Sequence, residues 1–390
     1  MKMRDISNRP IIGFDAKRIV NNNTGLGNYG RTLINSLSLA NSKFKFNLYS
    51  PDKGKDILRE QVANVPNIEF CYPTHTYLRI QKDWWRQRGI VKRLLKDNVT
   101  LYHGLSGELP QGIKKHGIKS VVTIHDLIFL RHPEYYTPID TYIYKRKFLS
   151  TCKEADLIIA ISECTKKDIL SFSDYPEDKI KVIYQSCGLK FKETVDFYKK
   201  DLLKRKYNLP NRFILYVGSI EERKNLLLPV KALEYLPQDI SLVAVGKQTT
   251  YTLKVEKYIK SKNLTNRVKF LYNITTEELP AIYQQAECFV YPSRYEGFGI
   301  PIVEAIQSGL PVVACKGSCL EEAGGESCLY VDPDDVISMA NAISSLLIGS
   351  ENRNECIENS KKYIKRFENN DVAHRVLEVY DKILSITTRL

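Results

Sequence analysis

Short apolar runs rich in β-branched residues alternate along the 390-residue chain with longer stretches of helical periodicity. In the first half the runs fall at 11–15, 44–49, 67–71, 99–103, 120–124, 156–160 and 180–184, with helical spacing of apolar positions over 29–39 and 81–95. This alternation predicts a doubly wound parallel sheet, because parallel neighbours need a long crossover and a helix supplies it. After a lysine-rich polar stretch at 190–210 the pattern restarts, with runs at 213–217, 241–245, 268–271, 288–291, 311–314 and 328–331. From Asp334 onward only helical patterns follow, and Val372, Val376, Leu377, Tyr380 and Ile383 share one face of the last. The expected class is α/β, with two Rossmann-like domains over 1–195 and 196–368 joined near 186–210. In such sheets ligands bind beyond the carboxyl ends of the strands, so the loops there are the places to look for chemistry.

Composition narrows the class. With 43% apolar and 26% charged residues the chain is globular, which excludes disordered, collagenous and coiled-coil classes. The N-terminus carries positive charge without an apolar run behind it, and no stretch approaches ~18 apolar residues, so a cytoplasmic chain without a membrane span is expected. The nine cysteines are odd in number and scattered through apolar runs, which reads as free core thiols. Cys315 and Cys319 have a metal-like spacing, but no second pair follows them.

The net charge of +13 is unevenly placed: residues 1–200 hold 34 Lys and Arg against 21 Asp and Glu, whereas 201–390 hold 24 of each. The basic half either faces something anionic, such as a membrane surface or a phosphate-bearing acceptor, or is simply a basic solvated surface. Its most basic helical segment, 82–96, contains both tryptophans. That segment suits an anionic bilayer, or a helix packed through Trp84, Ile90, Val91 and Leu94 with a charged outer side. No recognition module or base-stacking platform accompanies the charge, so nucleic acid is not an expected partner.

The segment 291–313 is the most informative. An apolar run leads into Glu296, Gly297, Phe298, Gly299 and Ile300; Pro301 then opens a helix, and Glu304 lies about one turn inside it. Amides at a helix start can receive an anion or hydroxyls, glycine lets a ligand approach the backbone, and carboxylates accept from sugar or ribose hydroxyls. Taken alone, the same residues also read as an ordinary helix start with Glu304 on a solvated face. Arg223 and Lys224 stand in a polar loop after a run ending in Val217 and Gly218. His125 and Asp126 end the run at 120–124, where a structural pair is the bland alternative to a catalytic one. His103, at another strand end, reads as structural. Gly25, Gly27 and Gly30 match G-x-G-x-x-G, with Asp52 available as a ribose acid. About ten polar residues separate those glycines from the preceding run, where the dinucleotide fingerprint needs a tight turn. No hydride-transfer site accompanies them, which disfavours an NAD-dependent dehydrogenase.

Glu296 and Glu304, seven residues apart with Gly-Phe-Gly-Ile-Pro between them, resemble the E-x7-E motif of the retaining glycosyltransferases of GT-B fold, the group-one family that includes bacterial mannosyltransferases. Residues 216–226, 122–126, 328–335 and 367–384 resemble other segments of that family in the same order. The resemblance implies two domains facing across a cleft, with residues 369–390 as a closing helix that returns to the first. It implies a nucleotide sugar on the second domain: Glu304 on the ribose, Arg223 and Lys224 on the diphosphate, Glu296 and the amides of 297–300 on the sugar, with Gly218 ending the strand nearby. His125 would bond the donor sugar, Asp126 would orient loop or ring, and Gly25 and Gly27 would lie beside the diphosphate.

The implied activity is metal-independent transfer of a hexose, foremost mannose from GDP-mannose, to a saccharide or lipid-linked saccharide. No cofactor is expected, a UDP-hexose donor stays open, and so does peripheral contact with an anionic membrane. A non-catalytic glycan- or nucleotide-sugar-binding scaffold is the alternative from another class. Pyridoxal-dependent sugar phosphorylases share the architecture but are far longer.

Overall fold

The computed structural model describes residues 9–40, 43–74 and 78–387. Among the described residues thirteen strands form two sheets, parallel throughout. The first contains β1 (Ile11–Asp15), β2 (Lys45–Tyr49), β3 (Ile68–Cys71), β4 (Val99–Gly104), β5 (Lys119–Ile124), β6 (Leu157–Ala160) and β7 (Ile180–Val182), in the order β3-β2-β1-β4-β5-β6-β7. The second contains β8 (Arg212–Val217), β9 (Ile240–Val245), β10 (Val268–Leu271), β11 (Cys288–Tyr291), β12 (Val312–Cys315) and β13 (Leu329–Val331), in the order β10-β9-β8-β11-β12-β13. Central strands such as β6 and β9 are buried along their whole length, as expected when helices cover both faces of a parallel sheet.

The chain divides into two compact units, Met1–Ser186 with Phe367–Leu390, and Cys187–Arg366. The helix Asn369–Thr387 belongs to the first, where Val372, Ala373, Val376, Tyr380 and Ile383 join Phe14, Leu33 and Phe44 in its core. Strand order reverses between β1 and β4 in one sheet and between β8 and β11 in the other. Loops diverge at such switch points and leave a crevice at the carboxyl ends of the strands.

Three local features differ from the expected pattern. Within the polar stretch before Gly25, Lys17–Asn21 is a short helix that buries Ile19 and Val20. The lysine-rich joint contains the helix Phe197–Lys206, whose start is capped by Asp196 accepting from the Lys199 amide at 2.8 Å. In the basic segment the helices Arg79–Trp84 and Ile90–Lys96 flank a π turn, Trp85–Gly89. The wider turn rotates what precedes it, so Trp85 rather than Trp84 joins Ile90, Val91 and Leu94 in the core, and Trp84 is 58% exposed.

Candidate functional site

At the switch point of the second sheet, the loops after β8 and β11 are stitched together. The loop after β8 forms a single 3-10 turn, Glu222–Lys224, that ends on Asn225 with φ of 55°. The carbonyl of Arg223 accepts from the Arg294 amide at 2.9 Å. These turns bring Arg223 and Lys224 onto one carboxylate. Glu296 Oε1 lies 3.0 Å from Arg223 Nη1 and 2.5 Å from Lys224 Nζ, and accepts from Ser293 Oγ at 2.6 Å and from Tyr291 OH at 3.2 Å. Lys224 Nζ also donates to Tyr291 OH at 2.8 Å, and Arg223 Nη2 pairs with Glu221 at 2.7 Å. Burial alone would raise the Glu296 carboxyl; the Lys224 and Arg223 charges, with hydrogen bonds from Lys224 and Ser293, overcome it and hold the group down at about 2. At Gly218 a Cβ would stand 3.2 Å from Tyr216 OH and 3.8 Å from Lys224 Cδ, so the missing side chain leaves room beside the cation pair.

The segment after Glu296 turns sharply into the helix Ile300–Gln307. Gly299 takes φ of 111°, a left-handed conformation that favours glycine, and Pro301 follows in the first turn. The first helical amides lack an intrahelical carbonyl one turn earlier, and that of Ile302 donates to the Gly299 carbonyl at 2.9 Å. Phe298 is buried in the core and anchors the turn.

Glu304 projects from the same helix into different surroundings: its Oε2 accepts from Tyr283 OH at 3.1 Å. Burial pushes its carboxyl up to about 7, against the smaller lowering effects of that hydrogen bond and of Lys190. A row of rings lies between the two carboxylates' partners, with Tyr283 to Phe289 at 5.4 Å and Phe289 to Tyr291 at 5.9 Å between centroids. One carboxylate is thus held ionised by cations while the other is poised near neutrality, a divergence typical of functional sites.

The first unit carries the remaining expected residues around its own switch point. His125 follows β5, and its Nε2 lies 2.8 Å from the Leu105 carbonyl, while Nδ1 lies 2.8 Å from Gln185 Nε2. A carbonyl can only accept, so Nε2 carries the proton and Nδ1 receives the Gln185 amide. Burial lowers the imidazole to about 4, although the Leu105 carbonyl opposes the shift. Both ring nitrogens therefore serve protein partners here, and a contact to a donor sugar through this ring requires Gln185 to yield. Asp126 accepts from the Ile128 amide at 3.2 Å and so shapes the turn that follows.

His103 is fully buried between Tyr380 OH at 2.6 Å and Thr123 Oγ1 at 2.9 Å. Gly25 and Gly27 begin the helix Gly25–Ala40. A Cβ on Gly27 would lie 1.8 Å from the Asn22 carbonyl oxygen, whereas one on Gly25 would meet nothing within 4 Å. Gly27 is thus needed for close packing of the turn, which buried Arg31 also ties down by donating to the Asn22 carbonyl at 2.9 Å. Asp52 is engaged by Asn21 at 3.0 Å and Lys82 at 2.8 Å.

Ser293 and Tyr291 lie inside the informative segment, yet their donation to Glu296 depends on the strand-end turn and carries no sequence signal. Tyr283 reaches Glu304, and Gln185 reaches His125, from distant parts of the chain. Cys319 donates its thiol to the Glu296 carbonyl at 3.0 Å, and all nine cysteines are free. Among the described residues no group of three or more His, Cys, Asp or Glu side chains is placed to hold a metal ion.

The glycosyl transferases group 1 family matches residues 199–363, and glycosyltransferase family 4 matches residues 25–186. The chain is 31% identical over 271 residues to the O-antigen chain mannosyltransferase B of Escherichia coli, covering 68% of each protein. It is 28% identical over 276 residues to the serotype-specific mannosyltransferase WbdA of Escherichia coli; this covers 68% of the chain but 34% of the relative, so it spans about a third of that protein. The fold resembles that of Anabaena HepE, crystallised in complex with UDP and glucose, with a TM-score of 0.73 at 18% identity, over 96% of this chain and all of that one. At that identity the likeness speaks to the fold alone. Two parallel α/β units, each matched by a glycosyltransferase family, and a mannosyltransferase relative at 31% identity lead to one assignment: the chain belongs to the group 1 glycosyltransferases of GT-B fold, close to the bacterial mannosyltransferases.

Proposed function

We propose that this glycosyltransferase is a retaining, metal-independent hexosyltransferase that moves mannose from GDP-mannose to a saccharide or lipid-linked saccharide acceptor in surface-polysaccharide synthesis. The observation that carries the reading is the convergence of Arg223, Lys224 and Glu296 at the switch point of the second sheet. The names of the mannosyltransferase relatives support the sugar and the setting.

As the bond from the sugar to the diphosphate breaks, negative charge grows on the leaving oxygen. Two cations already fixed in a largely buried site stabilise that charge without reorganising, an effect on the order of 3 kcal/mol per donor. The acceptor hydroxyl attacks from the face the diphosphate leaves, and its proton passes to the departing phosphate oxygen. Glu296 and the amides at 297–300 orient the sugar hydroxyls, and Glu304 accepts from the ribose. His125 contacts the donor sugar once Gln185 releases Nδ1, with Asp126 keeping the turn in place.

We place the protein in the cytoplasm, with its basic first half meeting the anionic inner face of a membrane. Leu78, Ile80 and Trp84 are 76%, 85% and 58% exposed beside the basic Arg88, Lys92 and Lys96. Among the described residues no helix is long and apolar enough to cross a membrane.

Proton NMR of GDP-mannose incubated with the enzyme and no acceptor tests the chemistry, because water then takes the acceptor's place. The expected first product is α-mannose, at a rate a chelator leaves unchanged and that Arg223→Ala slows by ~100-fold. Initial β-mannose, or strict dependence on added magnesium, would contradict the proposal.

A further inference from the structure

We infer that Glu296 is the resident counter-ion of the Arg223–Lys224 pair, and that an incoming diphosphate must displace it, so this carboxylate sets how tightly the nucleoside diphosphate is held. The inference rests on the transferase reading of the site.

Both cations and both hydroxyls, Ser293 and Tyr291, converge on one oxygen of the Glu296 carboxylate, Oε1. The side chains are 14% (Arg223), 13% (Lys224) and 11% (Glu296) exposed, so solvent screens their attraction weakly. Arg223 has a second carboxylate in Glu221, but Glu296 is the only acidic partner of Lys224 among the described residues. The depressed carboxyl keeps this counter-ion charged throughout the neutral range.

With Glu296 and Glu221 beside them, the two cations are already balanced by two carboxylates. A diphosphate gains the cations only by taking the place of Oε1, and after transfer the same carboxylate competes with the product for them. Displaced from the cations, Glu296 can accept from sugar hydroxyls, so one side chain serves both states. Ser293 and Tyr291 act as positioning residues that hold Oε1 on the cations.

The test is calorimetric titration of inorganic pyrophosphate, GDP and UDP into the wild type, Glu296→Gln and Ser293→Ala, with thermal melts to establish folding. Glutamine keeps the shape and an acceptor oxygen but removes the competing charge. Glu296→Gln is expected to bind pyrophosphate and the preferred nucleoside diphosphate about tenfold more tightly, with a steeper salt dependence, while donor cleavage slows. Ser293→Ala should shift binding the same way by a smaller factor, and Ser293→Thr should restore the wild-type value. A purely structural role for Glu296 predicts the opposite sign, so unchanged or weaker binding by folded Glu296→Gln overturns the inference. If that variant does not fold, the sign of the Ser293→Ala shift decides in the same way. Wild type that binds none of the three probes overturns the transferase reading itself, and the counter-ion role with it.

Discussion

Among the described residues Glu304 pairs with no cation, whereas Glu296 pairs with Arg223 and Lys224, and pH should expose the difference. Its folded value of about 7 lies above its ordinary 4.5, so between those values the folded chain holds a proton that the unfolded chain has released. The resulting stabilisation is complete below pH 4.5 and is lost as pH rises through 7. Burial moves His125 and His103 the other way, from 6.5 to about 4 and about 3, so their contribution is present above pH 6.5 and is lost as pH falls through those values. Comparing the wild type with Glu304→Gln isolates the carboxyl. The wild type should lose up to about 3 kcal/mol relative to the variant between pH 4.5 and 8, measured by denaturant unfolding. Parallel stability curves would show that Glu304 is not buried uncompensated. Glu296, Glu304, Arg223 and Lys224 were singled out in the sequence because their spacing and order resemble the family's motifs. Their electrostatic states were not legible, since Lys224, Tyr283 and Tyr291 reach the carboxylates only through the sheet.

At the scale of elements, strands were the most legible feature. Covered on both faces, β6 is an unbroken apolar run and β9 is interrupted only by Ser241, and even the shorter β13 coincides with the expected 328–331 run. Short or polar helices were harder to read, because Lys17–Asn21 has too few apolar positions to show a period and Phe197–Lys206 exposes both Phe197 and Tyr198. The basic helix shows how periodicity itself misleads. Strict α-helical spacing puts Trp84 inside, but the π turn at 85–89 exchanges the two tryptophans. The exchange matters if this element meets a membrane. Ile80→Ser with Trp84→Ser should weaken co-sedimentation with anionic vesicles severalfold at low salt and leave the thermal melt unchanged, because both side chains are exposed. Trp85→Ala should instead cost about 3 kcal/mol of stability, as expected for a buried tryptophan. Equal vesicle binding by the wild type and the double variant would remove this element from the membrane proposal.

At the scale of the whole molecule, the chain leaves the first unit at Ser186 and returns to it at Phe367, so the first unit's core is completed only by its last helix. Periodicity predicted that helix and its apolar face, and the family resemblance supplied its destination, because no local pattern says which sheet a terminal helix covers. The uneven charge is likewise visible in the sequence, while the neutral second half conceals a compact pair of cations that share the Glu296 carboxylate. We propose that this second unit holds the nucleotide of a sugar donor. Calorimetry with GDP, UDP, dTDP, ADP and NAD, on the wild type and Glu304→Ala, tests it most directly. One nucleoside diphosphate, GDP first among them, is expected to bind the wild type and to be weakened at least about tenfold by the substitution, which removes the proposed acceptor for its ribose. Binding of NAD alone, or of no nucleotide at all, would contradict it.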